Sequence, residues 1–171
     1  PFYVSHEKVS SYNGRLRNVL IPLVLSLTSA ASAEIWVVSS GGTATGDRVL
    51  RLDDGGAVLG DVIRDDAGLG TPIEAIPSGN GTLFLSDQLN DAVYEYSLTT
   101  GARIRTVAGP AQGLDNVRGI ALNAGKLYVT VASGSLAGTV QAFDLSTGVQ
   151  TTAFSRAGLT SPWDVAFFNG E

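Results

Sequence analysis

Three stretches of this chain open in the same way, roughly 45 residues apart: Pro72-Ile73-Glu74-Ala75-Ile76, Val117-Arg118-Gly119-Ile120-Ala121 and Pro162-Trp163-Asp164-Val165-Ala166. A repeat of that length is one supersecondary unit that buries its apolar faces only against its neighbours, so the period constrains the fold before any single residue does. The second copy continues through Gly81-Thr82-Leu83-Phe84-Leu85-Ser86-Asp87, Ala92-Val93-Tyr94-Glu95-Tyr96-Ser97-Leu98 and Ala102-Arg103-Ile104-Arg105-Thr106-Val107. The third answers with Gly125-Lys126-Leu127-Tyr128-Val129-Thr130, Gly138-Thr139-Val140-Gln141-Ala142-Phe143-Asp144-Leu145 and Val149-Gln150-Thr151-Thr152-Ala153-Phe154. An earlier, partial copy holds Ile35–Ser39, Arg48–Asp53 and Gly56–Gly60.

Each copy thus carries four short runs rich in Val, Ile, Leu, Tyr and Phe, parted by Gly, Asn, Asp and Ser, which predicts consecutive antiparallel strands joined by tight turns. In Val93–Leu98 alternation places Tyr94, Tyr96 and Leu98 on one face and Val93, Glu95 and Ser97 on the other. Most other runs are apolar on both faces, as sheets sandwiched between sheets require. No stretch after residue 34 pairs a helical apolar stripe with caps. The prediction is an all-β propeller of four-stranded antiparallel blades, about three of them present, truncated from a ring of roughly six to eight.

The repeats occupy residues 34–171. Ahead of them, Arg15 and Arg17 precede the apolar run Val19–Leu27, and Ala31-Ser32-Ala33 supplies a small-x-small cleavage motif. Residues 15–33 therefore read as a Sec-type signal peptide, which predicts a secreted or periplasmic protein; the run is too short for a membrane anchor and Pro22 interrupts it. Residues 1–14 read as an upstream segment outside the mature protein, and the chain contains no Met. The far end, Phe167-Phe168-Asn169-Gly170-Glu171, closes the first strand of a further copy, which predicts that more blades follow.

A net charge of −5 with no Lys/Arg cluster argues against nucleic acid or an anionic membrane surface as partner. Without Cys there is neither a disulfide nor a thiolate metal site. The sole histidine, His6, lies ahead of the signal peptide, leaving the repeats no imidazole for general acid–base work and no Ser/His/Asp set.

The second copy, from Pro72-x-Glu74-Ala75-Ile76 through Asp87-x-x-Asn90-Asp91-x-Val93-Tyr94-x-Tyr96 to Gly101, resembles the NHL repeat and the gluconolactonase-like and streptogramin-lyase-like six-bladed propellers of exported bacterial proteins. The third departs from it: Val117 stands for the opening Pro, and Ser133–Gly138 replaces the Asp-x-x-Asn turn.

In a propeller the first strand of each blade lines the central channel, so Glu74, Gly119 and Asp164 converge there, with Arg118 and Trp163 at the position of Ile73. These define the channel-lining candidates Glu74, Arg118, Trp163 and Asp164. With no catalytic set assigned, they suit a non-catalytic scaffold for a protein or carbohydrate ligand that needs no cofactor. The alternative implied by the resemblance is a hydrolase or lyase of those two types, with Glu74 and Asp164 as metal ligands for a divalent cation such as calcium or magnesium. The Asp87–Asp91 turn reads as structural, Asp and Asn side chains fixing backbone amides. Asp61, Asp65 and Asp66 lack the spacing of a helical calcium loop.

Overall fold

A computed structural model describes residues 33–41, 46–64, 68–155 and 157–168. The signal-peptide reading falls almost wholly outside these residues, as do Asp65 and Asp66.

The described residues form three antiparallel sheets whose strands follow one another in chain order. The first has three strands, β1 (Ile35–Ser39), β2 (Arg48–Leu52) and β3 (Val58–Ile63). The second has four: β4 (Pro72–Pro77), β5 (Thr82–Asp87), β6 (Ala92–Ser97) and β7 (Arg103–Ala108). The third repeats that plan with β8 (Val117–Asn123), β9 (Lys126–Val131), β10 (Thr139–Asp144) and β11 (Gln150–Ser155). Short hairpins make this order the natural outcome, since antiparallel neighbours need only a few turn residues between them. These are propeller blades, as the repeat predicts.

The strand faces sort as alternation requires. In blade 2, Leu83 and Leu85 of β5 join Tyr94 and Tyr96 of β6 in a core shared with Val49, Val62, Ile63, Trp36 and Val38 of blade 1. The other faces of the same strands, Phe84 and Val93, join Ile120, Leu127, Val129, Val131 and Phe143 of blade 3. Each blade is therefore glued to the next through one apolar layer, and the layer recurs with the repeat.

Two boundaries differ from the sequence reading. β3 runs to Ile63, beyond Gly60, because a ladder irregularity lets Val62 and Ile63 turn into the blade 1–blade 2 core. Residues 162–167, expected as a strand, belong to no sheet and meet β8 where Trp163 and Asp164 approach Gly119.

Both innermost strands carry a bulge. Between Pro72 and Ala75 two residues of β4 face one of β5, and between Val117 and Ile120 two residues of β8 face one of β9. The facing residues are Ser86 and Thr130. The Glu74 N–H donates to Ser86 Oγ at 3.1 Å, and the Gly119 N–H donates to Thr130 Oγ1 at 2.9 Å. A hydroxyl thus replaces the ladder partner that the bulge removes, at the same place in each blade.

Candidate functional site

The bulges position the residues expected to line a channel, because an extra residue in a strand re-aims the side chains beside it. Ile73 and Glu74 fill the bulge of blade 2, Arg118 and Gly119 that of blade 3, and Trp163 and Asp164 take the matching places in the segment beside β8. Glu74 is half-buried. Its Oε2 accepts the Ile120 N–H at 2.6 Å, so the side chain bridges from blade 2 to the innermost strand of blade 3.

Asp164 arrives by close backbone approach. A Cβ on Gly119 would lie 2.4 Å from Asp164 Cα and 2.8 Å from the Trp163 carbonyl oxygen, so only glycine admits the segment at that distance. Asp164 Oδ1 accepts the Val165 N–H at 2.7 Å. Burial raises the Glu74 carboxyl above its ordinary value of 4.5; the Ile120 amide opposes that shift and the negative charge of Asp164 adds to it. The two carboxylates are therefore electrostatic neighbours, as the repeat alignment expects.

Arg118 and Trp163 also come together. The guanidinium carbon lies 3.8 Å from the centre of the Trp163 ring, a cation–π stack, while Nε donates to Asn116 Oδ1 at 3.1 Å and Nη1 donates to Ser161 Oγ at 3.0 Å. Asn116 in turn accepts from Gln88 Nε2 of blade 2. The Ser86 hydroxyl donates to the Arg118 carbonyl at 2.6 Å, fixing the strand from which the guanidinium springs. Trp163 remains 63 % exposed, with its ring at the surface.

Ser86, Thr130, Asn116 and Gln88 were not singled out by sequence reasoning. Ser86 and Thr130 fall at the same place in their copies, one residue before the end of the second strand, and that recurrence was the available signal. The Asp87 turn is structural as expected: Asp87 is fully buried and its carboxylate accepts backbone N–H groups from Gly70, Thr71 and Asn90.

Glu74 and Asp164 are two of the oxygen donors that a divalent cation would need. Calcium takes six to eight oxygen ligands, and no group of three or more His, Cys, Asp or Glu able to hold a metal exists among the described residues. One Glu74 oxygen is already engaged by the Ile120 amide.

The raised carboxyl has a measurable consequence. A carboxyl whose value is higher in the folded state contributes stability that is full below about 4.5 and is lost as pH rises through the folded value. Glu74→Gln can keep the Ile120 bond through its amide oxygen while removing the charge. We expect E74Q to be at least as stable as the parent at pH 7, with the difference shrinking on acidification toward pH 4.5, in urea titrations across that range. An E74Q deficit at pH 7 that grows with pH would contradict this.

Comparisons with known proteins bear on the fold alone. No protein-family model matches the chain, and no curated protein sequence does. Among solved structures, the chain is similar to one in the nidogen/laminin complex, at 16% identity and TM-score 0.59, covering 77% of this chain and 46% of that one. It is also similar to two computationally designed proteins. Against Ika8 the identity is 12% and the TM-score 0.54, covering 80% of this chain and 37% of that one. Against Ika4 the values are 16% and 0.50, covering 84% and 85%. The chain thus spans less than half of the first two. At such identities the likeness establishes architecture and leaves the chemistry open: the chain is a run of β-propeller blades.

Proposed function

We propose that the protein is an exported, non-catalytic propeller that binds a protein ligand at the mouth of its channel. The observation that carries this reading is the Arg118–Trp163 stack, an exposed aromatic ring with a guanidinium held 3.8 Å above it by two further hydrogen bonds. Trp and Arg dominate the energetics of protein interfaces because each offers large contact area with a directed polar edge. The rigid hold from Asn116 and Ser161 lowers the entropy lost on binding. The polar groups around the stack, Asn116, Ser161 and Gln88, bond one another or the guanidinium, and no buried side-chain nitrogen or oxygen among the described residues lacks a partner. The nidogen structure, solved in complex with laminin, is in keeping with a protein-binding use of this fold.

The reading is tested by selecting binders from a random peptide library on the immobilised full chain and measuring their affinity for W163A and R118A. Loss of at least about tenfold, or 1.4 kcal/mol, in either variant is the expected result. Peptides that bind both variants as well as the parent would overturn it, and so would selective capture of oligosaccharides through the same two residues. A rise in melting temperature with millimolar calcium or magnesium that disappears in E74Q would favour the hydrolase or lyase reading instead.

A further inference from the structure

A second concavity lies between blades 2 and 3, at the other end of the strands from Glu74. In blade 2, Pro72 pairs with Asp87 at the Glu74 end and Pro77 with Leu83 at the opposite one. There the β4–β5 turn of blade 2 and the β8–β9 turn of blade 3 rim a groove of about 490 Å³, the size of a small-molecule site. Both blades are full sets of four strands, so both walls are fixed whatever chain precedes or follows them.

The wall on blade 2 is held by hydrogen bonds. Glu95 and Arg105 are cross-strand neighbours on β6 and β7. Glu95 Oε2 accepts the Arg105 Nε–H at 2.7 Å, and Oε1 accepts the Thr82 hydroxyl at 2.8 Å. The carboxylate is thus engaged twice, while both Nη groups of Arg105 make no hydrogen bond among the described residues. Asn123, at the end of β8, brings a half-buried carboxamide to the groove, and Asn80 brings an exposed one; neither amide group is bonded among the described residues. Leu122 and Leu145 add an apolar surface backed by the blade 2–blade 3 core.

This polar set is not part of the repeat. Blade 3 has Lys126, Ala142 and Thr151 at the places of Thr82, Glu95 and Arg105. Blade 1 has Glu34, Arg51 and Gly60 there, and Arg51 closes on Glu34 with two bonds, Nε to Oε2 at 3.0 Å and Nη2 to Oε1 at 2.5 Å. What a blade needs for its own fold recurs, as the hydroxyls of Ser86 and Thr130 do. A set that occurs once among the described blades serves something other than blade architecture.

The lining narrows the chemistry of the ligand. Glu95 and Arg105 are the charged side chains of the groove and offset each other, which leaves no net charge for an ionic ligand to answer. What remains on offer is the N–H fork of Arg105 and, on each carboxamide, donors beside an acceptor, next to apolar carbon. A peptide strand finds no free edge here: the carbonyls of Thr82, Gly81 and Gly125 already accept the N–H groups of Ser78, Leu98 and Leu145 at 2.9, 3.0 and 3.1 Å. Adjacent hydroxyls, each both donor and acceptor, on a ring with a C–H face meet all of these groups. We propose that this groove is a binding site for a neutral mono- or disaccharide. The Glu95 bond holds the guanidinium in place before the sugar arrives, which lowers the entropy lost on binding. The proposal does not rest on protein binding at Trp163, which lies at the other end of the strands.

The experiment screens the full chain by saturation-transfer NMR against glucose, galactose, mannose, N-acetylglucosamine, cellobiose, maltose, lactose and chitobiose, then titrates the sugars that bind by calorimetry. At least one sugar is expected to bind with millimolar affinity or better. Arg105→Ala and Asn123→Ala should each weaken it at least about tenfold, and Trp163→Ala should leave it unchanged. Should R105A lose stability by leaving Glu95 uncompensated, Arg105→Lys keeps the charge while removing the fork, and N123A leaves the ion pair intact. Absence of binding across the panel overturns the proposal, as does binding that survives both R105A and N123A or that is lost in W163A instead. Glucuronate binding more tightly than every neutral sugar would make this an anion site and overturn it as well.

Discussion

Replacing Asp87 by alanine is expected to cost about 3–5 kcal/mol of folding free energy, because it strands several buried donors at once. Asp87 ends β5 with no exposed surface. Its Oδ2 accepts the Gly70 N–H at 2.8 Å and Asn90 Nδ2 at 2.7 Å, while Oδ1 accepts the Thr71 N–H at 2.9 Å and the Asn90 N–H at 3.3 Å. One carboxylate thereby ties the approach to β4 and the β5–β6 turn to the end of β5. The Gln88 N–H, donating to the Thr71 carbonyl at 2.8 Å, depends on the same geometry. Asp87→Asn keeps one acceptor but turns an amide toward N–H groups, so it should fall between parent and alanine variant. Urea denaturation of the three proteins checks the order; a loss below about 1 kcal/mol for D87A would show that the turn holds without its carboxylate.

Phe84→Ala is expected to cost a similar ~3–5 kcal/mol for a different reason, the cavity left in a layer that does not collapse. Phe84 is 2 % exposed and lies in one cluster with Val93 and Ala108 of its own blade and Ile120, Leu127, Val129 and Phe143 of the next. It is a contact between repeats as well as within one. In an array whose stability is a sum of blade terms and interface terms, weakening an interface lowers cooperativity along with stability. F84A should therefore show a smaller denaturant slope than the parent, while Phe84→Leu, which restores most of the volume, should recover both slope and midpoint. A full loss of stability with an unchanged slope would place the effect inside blade 2 alone.

Much of the candidate site was legible before any coordinates. The alignment of Pro72, Val117 and Pro162 put Glu74, Gly119 and Asp164 in register, and the structure sets Asp164 against Gly119 with its charge felt at Glu74. Tyr94 and Tyr96 face blade 1 and Val93 faces blade 3, as alternation required. The hydroxyls of Ser86 and Thr130 escaped notice because their role exists only opposite a bulge, and a bulge is a property of two strands paired in one register. The alignment places Trp163 and Arg118 at one repeat position, but that the Arg118 guanidinium stacks on the Trp163 ring shows only in the folded chain.

What the sequence by itself determined is everything with a short period: four strands to a copy, the alternation along each, the turn residues between them and the recurrence about every 45 residues. These follow from backbone sterics and local hydrogen bonding, which act within a few residues. What only the tertiary structure decided is which atoms meet across blades. The bond from the Ile120 amide to Glu74 spans 46 residues, and it forms because blade stacking brings two innermost strands side by side with Glu74 partly desolvated between them. There a carboxylate is more costly to ionise than in water, so a residue that local pattern marks only as polar becomes a bridge between repeats.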